Sequence, residues 1–474
     1  MSEEFHFEAP LAARYASKEM IRIFSGEMRY TTWRKLWVAL ARAQKNLGLP
    51  IQPEQVMAME KKIHDIDLQR AEYYERQLGH DVMAHVHTFA DACPEAKNII
   101  HMGATSCFIT DNADLILMRD GLKLIKDKLL DTIRKLSVQA EQHADLPCLG
   151  YAHFQTTQPT TVGKRICLWL HDLLLDFQEV SSKLESLPFL GAKGICGSQA
   201  TFLQLFNYDA DKVKRMEKMI AEEMGFSKIL TITGQSYTRK YDVGVIHALA
   251  SLGISSHKFA TDLRLLANKK EIEEPASARQ ATLYRKTPNR AERICGIARY
   301  LCSLQENPMY TASLQWMERT LDDSSNRRIV IPAAFLAADA ILNLYHFIAA
   351  DLVVYPKIIE AHVREELPFL AAEVLSQAAT QRGHDKQATI DSLNRHIQEV
   401  VKNWQETGNK EDLRARIEQD KSLGFSHVDL EELLAPAKFI GRAPEQVRDF
   451  LHYEVTPILK RYEQVQSYRL NIEI

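Results

Sequence analysis

Apolar residues recur along this chain at the three- and four-residue spacing of helices, in runs long enough to set the architecture. Trp33, Leu36, Trp37, Leu40 and Leu47 mark one side of a helix over Thr32 to Leu47, which Gly48 and Pro50 end. A longer stripe of Leu115, Met118, Leu122, Ile125, Leu129, Ile133 and Leu136 runs through a stretch from about Asp111 to Ala144. Its roughly 30 residues, if continuous, span about 45 Å. Similar patterns cover Thr161 to Leu187, Tyr241 to Lys269, Ala291 to Gln305 and Ile331 to Leu352. Helices this long bury their stripes economically only against equally long neighbours, in an elongated bundle, with leftover stripes covered by other copies of the chain. The pattern predicts an all-α subunit in three parts: an N-terminal helical domain over 1–111, a central long-helix bundle over 112–355 and a C-terminal helical domain over 356–474. The last part reads as shorter helices, at Lys357 to Glu366, Leu370 to Gln381 and Pro444 to Tyr462, with a break at Gly408-Asn409.

Composition narrows the class. The 474 residues carry 59 Lys and Arg against 62 Asp and Glu, a formal charge of −3. With no basic block, that balance argues against a nucleic-acid surface or an acidic-lipid anchor. Only 19 Gly and 16 Pro interrupt the chain, which favours long helices over a many-turned β protein. The start shows no basic segment followed by an apolar stretch, so no secretory signal is expected. The most apolar run, Ile329 to Tyr355, is broken by Asp339, Asn343, His346 and Asp351 and reads as a buried helix, not a bilayer span. Seven cysteines, scattered and never spaced CxxC, fit a reducing, cytoplasmic setting.

Polar, glycine-bearing and aromatic residues collect in the connections, where chemistry usually sits. His80, Asp81, His85, His87 and His101 form the densest histidine region. Metal ligation and ordinary core packing both suit these residue types, although His80 and His85 are five apart and His85 and His87 two, so no HExxH-like pair of histidines sits one helical turn apart. His80 is the functional candidate, because Asp81 beside it can fix its tautomer. His153, between Tyr151 and Phe154, is either a packed side chain or a catalytic one. Thr231 to Tyr237, polar residues around Gly234, can cradle an anion or cap the next helix. Glu318 to Arg328 offers arginines and serines for phosphate or carboxylate, or an ion-paired cap in which Asp322 and Asp323 neutralise the arginines.

Taken together, HDVMAHVHTF (80–89), GATSCF (103–108), TTVGKR (160–165), SQATFLQLF (198–206), ITGQSY (232–237), TDLRLLAN (261–268), ERTLDDSSNRR (318–328) and LVVYPK (352–357) resemble the adenylosuccinate lyases of the fumarase/aspartase superfamily, in their animal-type branch. The resemblance runs nearly end to end, from Ala13-Arg14-Tyr15 to Phe439-Ile440-Gly441-Arg442. It implies a three-domain helical subunit in a homotetramer whose active sites are shared between subunits, and no metal or organic cofactor. The implied reaction is β-elimination of fumarate from adenylosuccinate, giving AMP, and from the succinyl-carboxamide intermediate of purine synthesis. By matching motif, His153 is the general acid, with His80 and Asp81 lining its pocket and Gln235 positioning the substrate. Thr105 and Ser106 donate to a succinyl carboxylate. Arg14, Tyr15, Arg319, Ser324 and Arg328 hold the nucleotide, chiefly its phosphate, and Arg293 reaches it from the bundle. His153, Gln235 and the arginines near 320 are expected from separate chains.

One segment departs from the resemblance. Where the family has a flexible loop, GSSxMPxKxNP, with a serine base, this chain reads ASARQATLYRKTPN over 276–289. That puts Arg279 at the serine position and Arg285 at the lysine position, with no glycine. Ala152 and Gly79 also stand where a threonine and a basic residue are usual. Arginine cannot act as a general base at neutral pH. The base then falls to Ser277, Thr282 or a water, or else the chain is a catalytically weakened homologue acting as a nucleotide-binding or assembly partner.

Overall fold

The computed structural model describes residues 9–276, 284 and 286–464. Five helices, Ser106–Gln142, Val162–Ser186, Lys240–Asn268, Asn289–Ser303 and Asp322–Ala350, form the bundle that the apolar stripes predict. The first runs unbroken for 37 residues, about 55 Å at the helical rise. All seven residues of its predicted stripe are fully buried, each contributing about 1.5–3 kcal/mol relative to exposure. It packs along Val162–Ser186 and Asp322–Ala350, while Lys240–Asn268 packs on Asn289–Ser303. At one end the chains approach so closely that a Cβ on Gly163 would lie 2.5 Å from the Ala140 carbonyl, so only glycine fits there.

Two differences from the expected pattern matter for function. The last bundle helix starts at Asp322, not Ile331, and carries Pro332 inside it. Its first two turns lack an apolar stripe because their buried partners are charged groups, described below. One 18-residue window of this helix is long and apolar enough to cross a membrane, but 78% of that window is buried in the chain, as a core helix would be. The connection after Gln142 is not a loop but a hairpin, β1 (Pro147–Ala152) pairing antiparallel with β2 (Gln155–Thr161). A second small ladder pairs β3 (Ile272–Glu273) with β4 (Val353–Val354). Beyond it lie Pro356–Leu370, Ala372–Gln381 and a 22-residue helix that the sequence pattern does not mark, Lys386–Thr407, which stops at Gly408.

Candidate active site

One group of predicted residues comes together where three bundle helices begin or end in the same layer. The 231–239 loop is pressed onto the segment before Asp322: a Cβ on Gly234 would meet the Glu318 backbone at 2.6 Å, and the Gln235 amide donates to the Glu318 carbonyl at 3.0 Å. The Gln235 side chain accepts from Cys107 Sγ at 3.4 Å, which places it at the N-terminus of Ser106–Gln142. Thr105, the N-cap there, has no side-chain capping bond. Ser106 Oγ and His80 Nε2 are 3.2 Å apart. Free amides at a helix start, flanked by hydroxyls and an amide side chain, suit a carboxylate.

A buried ion network fixes this layer. Arg239 spans Asp111 at 2.8 Å and Asp323 at 2.6 Å. Arg327 spans Asp242 at 2.7 Å and Asp114 at 3.0 Å. The Tyr237 hydroxyl donates to Asp242 at 2.6 Å. Burial opposes ionisation of Asp111, but the Arg239 and Arg327 guanidiniums outweigh it and hold that carboxyl below its ordinary value. Arg319 bonds both oxygens of Asp323, at 2.9 and 3.0 Å, and Arg328 pairs with Asp81. Arg29, Trp33, Thr110, Ser324, Arg319 and Arg328 line a cleft over the network. The Arg29 guanidinium makes no ion pair or hydrogen bond among the described residues, and sequence reasoning missed it; its only signal was its place four residues before Trp33 on the same helical face.

His80 differs from expectation. Its ring nitrogen is 3.7 Å from Asp81, and its Nδ1 instead accepts the Met83 amide at 3.4 Å as a helix cap. The backbone therefore sets its tautomer, leaving Nε2 to donate to Ser106, while Asp81 serves Arg328 and the Val82 amide. The neighbouring histidines are packed. His85 stacks on Tyr30 at 3.8 Å, and burial, then Arg34, push its pKa down to about 4. His101 Nδ1 accepts from Trp37 Nε1 at 2.9 Å, and burial, then His80, bring its pKa to about 4. His87 lies against Tyr74. Among the described residues no three His, Cys, Asp or Glu side chains are grouped to hold a metal ion.

His153 occupies the hairpin turn. Ala152 pairs with Gln155, so His153 and Phe154 are the two central residues, at φ 54° and 59°. Two-residue hairpin turns with both central φ values positive favour Asn and Gly. Bulky residues held there cost on the order of 1–3 kcal/mol each, and such strain clusters at functional positions. The imidazole is exposed to solvent.

The chain does not bring His153 to Gln235. The hairpin tip lies by Lys269, whose Nζ is 4.6 Å from the Tyr151 ring and 5.9 Å from the Phe154 ring. Lys269 closes the Lys240–Asn268 helix, whose other end follows the Gln235 loop. That helix alone separates them by about 40 Å. Arg293 belongs with the His153 end, where its charge acts on Glu274. Arg14 and Tyr15 form a short turn held at Asn343, which bonds the Tyr15 carbonyl at 3.4 Å. Asn343 is roughly four helical turns from Arg328, so this pair does not join the arginine cleft in its own chain. Conversely, Gln235 and Arg319, expected from separate chains, share one loop contact. Ser277, Arg279, Thr282 and Arg285 fall outside the described residues.

A family model described as Lyase matches residues 13–280. The adenylosuccinate lyase of Saccharomyces cerevisiae is 43% identical over 100% of both chains, that of Schizosaccharomyces pombe 43% over 98% of each, and that of Schistosoma mansoni 42% over 100% of both. The chain belongs to the adenylosuccinate lyase family. These matches span the chain, from the Gln235 layer to the hairpin that carries His153. In fold, it superposes on 3-carboxy-cis,cis-muconate lactonizing enzyme from Pseudomonas putida with a TM-score of 0.81 at 23% identity, covering 95% of this chain and 99% of that one. It superposes on fumarate lyase from Mesorhizobium sp. BNC1 with a TM-score of 0.78 at 21% identity, covering 95% and 100%.

Proposed function

We propose that this chain is a carbon–nitrogen lyase that splits adenylosuccinate into AMP and fumarate, and likewise cleaves the succinyl-carboxamide intermediate of purine synthesis, in a homotetramer whose sites each draw on several subunits. The observation that carries the shared site is the division of the molecule into complementary halves: an anion-ready layer at Gln235 and Arg319, and an exposed, strained histidine turn one bundle length away. A substrate of nucleotide size cannot bridge about 40 Å, whereas a second copy can present its hairpin to the first. Exposed apolar side chains support the assembly. Trp316, Met317, Leu321 and Ile232 surround the anion-ready layer, and Leu168, Leu175 and Ile254 mark outward faces of two bundle helices. The working division into 1–111, 112–355 and 356–474 and a cytoplasmic location belong to the same reading.

In this reading the N-terminus of Ser106–Gln142, with Thr105, Ser106 and Gln235, grips the succinyl carboxylates. Arg29, Arg319, Arg328 and Ser324 take the phosphate, joined by Arg14, Tyr15 and Arg293 from other copies. A base removes the proton beside a carboxylate, and the negative charge that develops there is met by these donors. The electron pair of the broken C–H bond forms the C=C bond of fumarate, the C–N bond breaks towards the purine nitrogen, and His153 gives that nitrogen a proton. His80, pinned by Met83 and Ser106, orients the carboxylate-binding hydroxyl. Purified protein incubated with adenylosuccinate should release fumarate and AMP in equal amounts; tight AMP binding without fumarate would instead establish the weakened homologue.

A further inference from the structure

Glu271 is 1% exposed and leaves Oε2 without a partner among the described residues. A buried carboxylate with an unmatched oxygen is costly, and an apolar side chain of similar size would stabilise the fold more. Its Oε1 accepts from two elements: the Tyr151 hydroxyl of the hairpin at 3.4 Å and His362 Nδ1 of Pro356–Leu370 at 2.9 Å. Tyr151 lies two residues before His153, with its ring near Lys269 on the bundle and Arg165 at 5.6 Å. Burial, then the adjoining Glu271 charge, push the Tyr151 phenol above its ordinary value, which keeps its hydroxyl a donor.

From Glu271 the chain runs straight into β3, which frames the divergent 276–289 segment. Glu273 accepts from Lys286 at 3.0 Å and from Tyr355 at 3.1 Å. Glu274 caps the next helix through the Arg290 and Ala291 amides at 3.1 and 2.9 Å. Both flanks of the segment are therefore tied to β3 and the residue after it, directly downstream of Glu271.

We propose that Glu271 is a positioning residue for His153: through Tyr151 it locks the strained turn to β3 and to the C-terminal helix, so that the imidazole and the frame of the 276–289 segment keep one fixed relation. The inference rests on His153 being the acid. It requires no contact between Glu271 and substrate.

The test uses full-length Glu271→Gln and Tyr151→Phe, each alone and combined with His153→Ala, followed by steady-state and single-turnover cleavage of adenylosuccinate. With His153 present, each variant should lower kcat roughly ten- to hundredfold, as misplacement of an acid does, while KM stays within about twofold. On the His153→Ala background the same substitutions should cost less than about twofold, because no acid remains to misplace. Unchanged kcat in both variants, or equal losses with and without His153, would overturn the proposal. If His153→Ala alone retains full turnover, it is the acid assignment that fails. Tyr151→Phe removes only a hydroxyl and keeps the test decisive if Glu271→Gln does not fold.

Discussion

At the Gln235 end, Arg239 and Arg327 sit between four aspartates, and the 231–239 loop and Arg319 are bonded to that network. At the His153 end, two consecutive residues stand in solvent with left-handed backbone, held by a tyrosine, a lysine and one buried carboxylate. The first arrangement spends stability on rigidity, so that donors wait in place for charge on the substrate. The second accepts strain to project a side chain away from its own fold, which is useful only if something outside that fold receives it. In the proposed reading, binding groups and the proton donor thus face different demands, and the molecule meets them at opposite ends of the same helices.

The sharpest way to break this contrast is at the turn itself. His153→Gly removes the proposed acid and relieves a positive-φ strain, so turnover should fall about 10²–10⁴-fold while thermal stability holds or rises by about 1 kcal/mol. A parallel loss of stability would mean the turn is structural. At the other end the order reverses. Asp111→Asn leaves Arg239 and Arg327 short of a buried charge and should cost about 3–5 kcal/mol in denaturant unfolding; a loss under about 1 kcal/mol would show the network to be dispensable.

Acid should separate the ends further. His85 and His101, both near the Gln235 layer, take up protons near pH 4 in the folded chain but near 6.5 when unfolded. Below about pH 6.5 the unfolded state therefore binds more protons, and stability is lost progressively down to about pH 4, by up to about 3 kcal/mol for each group. Melting temperatures recorded across that range should fall, and less steeply in His85→Gln. A flat profile would contradict the burial of both rings.

Much of the bundle was legible because a long apolar stripe has few alternatives: Leu115 to Leu136 admits one helix and demands long partners. The early start of Asp322–Ala350 was not, since Asp323 and Arg327 are buried by pairing with Arg239 and Asp242, residues far away in sequence, and a charged pair reads locally as surface. The hairpin was missed for a related reason. His153 and Phe154 violate turn chemistry, and a local rule broken for function leaves no local signal. Motif resemblance named His80, Thr105, Ser106, Gln235 and Arg328 but expected Gln235 and the arginines from separate chains, whereas the fold brings all five into one layer of a single chain; it also could not reveal that Met83, not Asp81, sets the His80 tautomer. Nor could it show that Arg14 and Tyr15 lie away from the cleft in their own chain, since that depends on Asn343 and Asp339 deep in the last bundle helix.

The central claim is that one site takes His153 from one subunit and Gln235 from another. Co-expressing His153→Ala chains with Gln235→Ala chains tests it directly. Each variant alone should be inactive, and the co-assembled protein should regain roughly a quarter of wild-type turnover, the share of sites that draw an intact residue from both chains on random mixing. Hybrid assemblies that form and stay as inactive as either parent would contradict it.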